Sequence, residues 1–430
     1  MPLSTSGTMG TVQLRYRYRI YPSPGQQQAL ARSFGCARVV FNDFVAARQA
    51  AHRAGEKTPS GGALQKRLIT EAKKTPERAW LGQVSNIVLQ QAARDAEQAY
   101  RNFFASLKGH RKGARIGAPR FRSRKDNRQT IRLHSGGFRL RDNGRLNLAK
   151  VGDVRVAWSR DLPSAPTSVT IVKTADGRYF ASFVVETDPE GVGEHLPPVV
   201  DEHGQDVELA LDLGLNAFAT DQHGRTITNP RVLRRAERRL KKAQRALSRK
   251  VKGSNNRAKA RVRVARLHAK VSDTRMDWLH KVTTRMVREN QTVHLEDLSI
   301  KGMARTRMAK SIHDASWGRF VSLLEYKAAR YGRTVVKIDR FHPSTKLCSA
   351  CGALKDMPLS ERVYRCPCGL VLDRDHNAAL NVLAAGRAER LNACGDQVRP
   401  APGLAQVSEA GTHPQRTTHL AWEQTGIPGL

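Results

Sequence analysis

Four cysteines fall within 21 positions, as Cys348-x2-Cys351 and Cys366-x-Cys368 with fourteen residues between the pairs. Two thiolate pairs at short spacing can close a tetrahedron around Zn²⁺. Gly352 and Gly369 each follow a pair directly and let the backbone turn its N–H groups toward sulfur. Four thiolates leave no open coordination position, so this reading gives one structural zinc and not a catalytic one. The second pair is C-x-C, one residue shorter than the usual C-x-x-C, which tightens that knuckle. The whole chain holds only six cysteines in 430 residues, which is not a disulfide scaffold.

A second set of chemistry-bearing residues is acidic and scattered. Asp212 sits inside an apolar strand pattern that runs from Leu209 to Phe218. A lone carboxylate there costs several kcal/mol of desolvation unless a cation meets it. Glu296 ends another apolar strand, VHLEDL, and Asp375 opens the last helical segment, with Asp373 two residues before it. Strand ends and a helix start can converge in an α/β fold. Three carboxylates around one cavity suit hard divalent cations, Mg²⁺ or Mn²⁺. A two-metal site of that kind suits phosphodiester hydrolysis. Taken singly, Asp375 also fits a helix cap, and Glu296 a surface strand end.

The elements that must position these groups follow from periodicity. Residues 11–22, TVQLRYRYRIYP, alternate apolar or aromatic with basic and predict a strand. Helical spacing covers 26–53, 63–73 and 80–107, and residues 129–187 change to short alternating runs, a meander or small barrel. The helical block thus reads as an insertion between the first strand and the rest of a β unit. A Pro/Gly-rich stretch at 188–205 marks a boundary. Beyond it, 207–228 predicts a buried strand, a turn at His223–Gly224 and a second strand. Residues 231–290 predict two helices joined at GSNN (253–256), 292–298 a strand, 314–331 a helix, 334–339 a strand and 375–386 a final helix. Residues 387–430 carry little pattern and are expected to be a mobile tail.

Lys plus Arg number 74 against 38 Asp plus Glu, a formal charge of +36. Such an excess repels itself in a compact chain and points to a polyanionic partner, nucleic acid first. Residues 231–290 alone hold 21 Lys or Arg against 4 Asp or Glu. No 18-residue apolar run predicts a membrane span, and Met1 to Gln13 has no stretch of signal-peptide length. A cytoplasmic, nucleoid-associated protein with no membrane partner is the expectation. Arg115, Arg120, Arg122 and Lys125 lie in a basic irregular segment and can contact phosphates. Tyr16 and Tyr18 can stack on bases or pack in a strand.

The segments LALDLGLNAFAT, VHLEDLSIKGM, SIHDASWGRFVSLLEYKAARYGR, STKLCSACG and CGLVLDRDHNAALNV occur in order. Together with YRIYPSPGQQQALARSFGCARVVFNDF near the start, they resemble TnpB, the OrfB-type protein of insertion sequences. The similarity runs from about residue 12 to 400. It implies a multidomain α+β chain. A RuvC-like α/β nuclease domain of RNase H fold occupies 205–346 and 371–386, with a zinc ribbon inserted at 347–370. A wedge-type β domain, 11–24 and 108–190, is interrupted by a helical recognition domain over 25–107. The implied activity is RNA-guided DNA cleavage, as in the related type V CRISPR nucleases. The implied partners are a guide RNA from the transposon end and double-stranded target DNA bearing a short adjacent motif, with no protein oligomer required. By motif, Asp212, Glu296 and Asp375 hold two Mg²⁺ or Mn²⁺, with Asp373 the rival for the third place, and Cys348, Cys351, Cys366 and Cys368 hold the zinc. Ser60, Asn86 and Gln90 are polar candidates for reading the adjacent motif, since amides pair with base edges. Alternatives are a transposase acting directly on transposon ends and an RNA-guided repressor that does not cut.

Overall fold

The computed structural model describes residues 12–111, 113–126, 128–187, 196–358 and 360–394. The chain divides into two compact units, Met1–Pro189 with Arg261–Arg266, and Glu190–Ala260 with Leu267–Leu430.

The first unit begins with strand β1 (Val12–Tyr21), in which Tyr16, Tyr18 and Ile20 point into the core and the alternate arginines point out. Ser23 and Gln26 form a capping box that starts helix α1 (Pro24–Arg53). Helix α2 (Gly61–Gln65) runs into a wider turn over Lys66–Glu71, and α3 (Asn86–Leu107) follows. The helix expected over 80–107 is broken: Val84 and Ser85 are extended, and Ser85 precedes α3 as its N-cap. Strands β2 (Gln129–His134), β3 (Phe138–Leu140), β4 (Arg145–Leu148), β5 (Gly152–Ala157), β6 (Pro166–Lys173) and β7 (Tyr179–Thr187) complete the sheet. Its order is β2-β6-β7-β1-β5-β4-β3, so β1 lies between strands that come more than a hundred residues later. The helices and the sheet share one apolar core, which includes Phe34, Phe44, Leu89, Ile171 and Phe183.

The second unit is built on a five-stranded mixed sheet. Strands β8 (Glu208–Asp212), β9 (Ala217–Asp221) and β10 (Thr226–Thr228) form an antiparallel meander. The long strand expected from Leu209 to Phe218 is therefore two strands: the chain reverses at Gly214, whose N–H donates to the carbonyl of Phe218. The basic stretch forms helices α4 (Val232–Ser248) and α5 (Asn255–Glu289). Strand β11 (Thr292–Glu296) then pairs in parallel with β8. Helices α6 (Ile300–Met303), α7 (Ala309–Ala315) and α8 (Trp317–Tyr331) lead to β12 (Thr334–Ile338), parallel to β11. Ser316, in the left-handed region at φ 58°, separates α7 from α8 and breaks the single helix expected over 314–331.

A small hairpin of β13 (Val363–Arg365) and β14 (Val371–Asp373) precedes the last helix, α9 (Arg374–Cys394). The helix corrects the expectation of a tail from 387. Arg387 reaches Glu208 at 2.5 Å, and Arg390 reaches Asp206 at 2.7 Å, so ion pairs carry the helix across positions that have no apolar pattern. The rest of that expected tail, 395–430, lies outside the described residues. Among the described residues no helix is long and apolar enough to cross a membrane.

Strand parity decides which side chains face α9. Leu209, Leu211, Val293 and Leu295 point to one face, into a core with Leu279, Phe320 and Leu324 from α5 and α8. Ala210 and Ile338 point to the other and pack on Val382 of α9. Since side chains alternate along a strand, Asp212 shares the α9 face with Ala210. Residue pairing puts His294 opposite Ala210, so Glu296 shares that face too.

Candidate active site and metal centre

Asp212 and Glu296 are the last residues of β8 and β11, and Leu211 pairs with Leu295 directly before them. The two carboxylates are thus lateral neighbours at the C-terminal ends of adjacent parallel strands, where open α/β sheets collect ligands. Asp212 is only 8% exposed, and its carboxyl is pushed up to about 8. Burial is the largest cause, followed by the negative charges of Glu296 and Asp375, with Asp373 adding a little and Arg374 opposing. The acids from three distant motifs therefore lie within electrostatic reach of one another. The Oδ2 atom of Asp375 also comes within 3.9 Å of where a Cβ on Gly214 would stand, two residues after Asp212.

Asp373 and Asp375 have different surroundings. Asp373 Oδ1 accepts the backbone N–H groups of Asp375, at 2.9 Å, and of His376, at 3.2 Å, so Asp373 caps the start of α9. Asp375 stands in the first turn with Arg374 at 3.5 Å and Arg362 at 4.0 Å. Ser344 donates its hydroxyl to Glu296, which orients that carboxylate.

Two asparagines absent from the expected site set hold this arrangement together. Asn377 donates to the carbonyl of Leu347 at 2.7 Å and accepts from the N–H of Ser349 at 3.0 Å. Asn381, one turn later, donates to the carbonyls of Ser344 and Leu347, both at 2.7 Å. Both are buried. One face of α9 thus clamps the segment that carries both the Glu296 partner and the first cysteine. The i, i+4 spacing in NAALN was the signal; an apolar helix face with two amides on it has carbonyls to satisfy.

The four cysteine sulfurs converge, all within 4.8 Å of one another, and among the described residues they are the group of such ligands that meets this closely. Cys348 and Cys368 are 3.7 Å apart, and Cys351 and Cys366 are 3.6 Å apart. A tetrahedron with Zn–S bonds near 2.3 Å has edges of about 3.8 Å, so the set fits zinc. Gly352 at φ +73° and Gly369 at φ +94° make the two left-handed turns. Burial raises the Cys348 thiol, but the N–H groups of Cys351 and Ala350 outweigh it and bring the thiol down to about 7. Cys366 receives the N–H of Cys368, yet desolvation and the neighbouring sulfurs push it up to about 12. Such mutual crowding is what a cation among the sulfurs relieves.

The candidates for nucleic-acid contact in the first unit have varied surroundings. Ser60 caps α2 through the N–H of Ala63. Asn86 accepts from Lys73 at 2.8 Å, and Gln90 is half-buried on α3. Arg115, Arg120 and Lys125 are exposed. Arg122 is engaged internally, 3.7 Å over the Phe41 ring and 3.9 Å from Asp95. Tyr18 packs against Trp158 and Phe183 inside the sheet core, so packing claims it.

The comparisons with known proteins meet this geometry. Residues 182–307 match the family model of IS605 OrfB proteins, described as "Probable transposase", and 317–382 match a "Cas12f1-like, TNB domain". Residues 9–57 match its "Helix-turn-helix domain". A solved Cas12f1, in complex with sgRNA and target DNA, shares the fold with a TM-score of 0.50 at 11% identity, over 86% of this chain and 98% of that one. A Streptomyces pristinaespiralis protein named "Putative RNA-guided DNA endonuclease" is 41% identical across 98% of this chain and its own full length. Its Escherichia coli counterpart InsQ, named likewise, is 31% identical over 91% of this chain and 96% of its own. The class is thus a two-unit chain of the Cas12f1-like fold. The chain belongs to the TnpB (OrfB-type) family.

Proposed function

We propose that this protein is a transposon-encoded, RNA-guided DNA endonuclease that hydrolyses DNA phosphodiesters at a single site formed by Asp212, Glu296 and Asp375. The observation that carries the reading is the meeting of these acids on the α9 face, with the Asp212 carboxyl held at about 8 by burial and by its acidic neighbours. A buried acid crowded by like charges is costly unless a cation joins it, and this donor set suits Mg²⁺ or Mn²⁺. Asp212, Glu296 and Asp375 would hold two such ions, which would supply activation of a water and stabilisation of the leaving oxygen.

The chain's own residues do the rest. Ser344 fixes the rotamer of Glu296. Asp373 caps α9 and so sets the position of Asp375 in the first turn. Arg374 tempers the negative field at Asp212. The cysteine set is read as one structural zinc that secures the 347–373 segment against α9. The five-stranded sheet with α9 is read as the RuvC-like domain, and the seven-stranded sheet with its inserted helices as the wedge-type and recognition domains. A guide RNA from the transposon end pairs with target DNA beside a short adjacent motif. Base pairing then reads sequence, while basic helices hold the hybrid through its phosphates.

The test is cleavage of a target library by the chain purified with its transposon-end RNA. Asp212→Ala, Glu296→Ala and Asp375→Ala should each abolish cutting while RNA remains bound, and Asp373→Ala, which removes a helix cap, should slow cutting without abolishing it. Cutting that persists in Asp212→Ala, or that needs no RNA, refutes the reading.

A further inference from the structure

Among the described residues, Phe341 is the most exposed large apolar side chain, at 87%. It stands at the tip of the loop that leaves β12, and both ends of that loop are fastened at Glu296. Ile338, three residues before it, pairs with Glu296 across the sheet. Ser344, three residues after it, donates to the Glu296 carboxylate. Three residues span at most about 11 Å, so the Phe341 backbone stays within about that distance of both residues fastened at Glu296.

The loop is also held rigid. The N–H of Phe341 donates to Asp339 Oδ1 at 2.7 Å, and the N–H of His342 to the Asp339 carbonyl at 3.2 Å. Arg340 donates through Nε to the carbonyl of Asp297 at 3.0 Å and pairs with its carboxylate. Asn381 takes the carbonyl of Ser344. The backbone on both sides of Phe341 is therefore tied down, and the ring is the loop's exposed apolar group. A ring carried on a tethered backbone has only its own side-chain torsions left to fix on binding a flat partner.

We infer that Phe341 is a substrate-positioning residue: its ring stacks on an unpaired base of the DNA strand being cut, within a few nucleotides of the scissile phosphate. The inference rests on the endonuclease reading above. Stacking on an aromatic face tolerates any base, which suits an enzyme whose sequence is read by a guide. It would hold one nucleotide fixed while the adjacent phosphate lies among the acids.

The experiment uses the full chain–RNA complex. In an Asp212→Ala background, target strands carry 2-aminopurine at successive positions around the cut. Emission should be quenched at one position and recover when Phe341→Ala is added. In the cutting-competent chain, Phe341→Ala should slow cleavage by about 5- to 100-fold, and Phe341→Trp should restore it. An abasic site at the quenched position should slow the parent chain equally and add nothing to Phe341→Ala. Emission unchanged by Phe341→Ala at every position, or cleavage as fast as the parent's, overturns the stacking role. The fluorescence reads stacking without cutting, so a target that stays intact with the parent complex counts against the endonuclease reading and not against this one.

Discussion

Replacing Asp212 with Asn tests whether the carboxylates are gathered at a cost to folding. The Asp212 carboxyl rises from 3.8 to about 8 in the folded chain. At about 1.4 kcal/mol per pH unit, ionising it inside the metal-free protein costs at most about 6 kcal/mol. The sign follows from linkage: between the two values the folded chain holds a proton that the unfolded chain has released. Stability associated with Asp212 is thus complete below the unfolded value, declines as pH rises toward 8, and stays lost above it. Asp212→Asn removes the charge and keeps the volume. In chelator, the variant and parent should melt together near pH 4, whereas at about pH 8.5 the variant should melt higher. At roughly 2–4 °C per kcal/mol for a unit of this size, the gap is at most about 12–24 °C. Adding Mg²⁺ should raise the parent's melting temperature and leave the variant's nearly unchanged, because a ligand stabilises only the state that binds it. Differential scanning calorimetry across pH decides the matter. Coincident melting curves at every pH would refute the claim that Asp212 is buried among like charges.

Other substitutions probe the supports of the site. A Cβ on Gly386 would stand 2.1 Å from Nδ1 of the fully buried His294. Gly386→Ala should therefore destabilise the second unit by about 1–3 kcal/mol or more, and pairing it with His294→Ala should recover part of the loss in a thermal melt. Asn381→Ala strands the carbonyl of Ser344, at about 1–3 kcal/mol, and leaves that of Leu347 to Asn377 alone; it should speed metal loss to a competing chelator, followed by a colorimetric zinc assay, and should slow cleavage. Asp314 is 4% exposed, accepts the N–H groups of Leu233 and Arg234, and pairs with Arg275 at 3.0 Å. Asp314→Ala should cost about 3–5 kcal/mol and expose the start of α4 to limited proteolysis.

Much of this was legible in the chain's own periodicities. Period-two runs such as RYRYRI declare a strand with one wet face, and CxxC with CxC separated by fourteen residues declares a thiolate cluster. Other features were not legible. A continuous apolar run from Leu209 to Phe218 does not reveal the reversal at Gly214, because both strands are buried and lack alternation. Residues 387–394 have no apolar stripe, and their helix depends on Glu208 and Asp206, some 180 positions away. Arg122 reads as a phosphate contact in a basic segment, yet Phe41 and Asp95 occupy it.

By itself the sequence determined which residue types were available: a buried-looking acid in an apolar strand, a thiol set at metal spacing, and an excess of positive charge. These are local properties, set by side-chain chemistry and by the repeat of each backbone conformation. Tertiary structure decided which acids meet. Strand register and parity turn Asp212 and Glu296 to the same face. Asp373 Oδ1 takes the N–H groups at the start of α9, and Asp375 in the first turn acts more strongly on the Asp212 carboxyl than Asp373 does. Two asparagines tie the cysteine segment to that same helix. Such choices depend on groups remote in sequence coming within a few ångströms, and no local pattern encodes that distance.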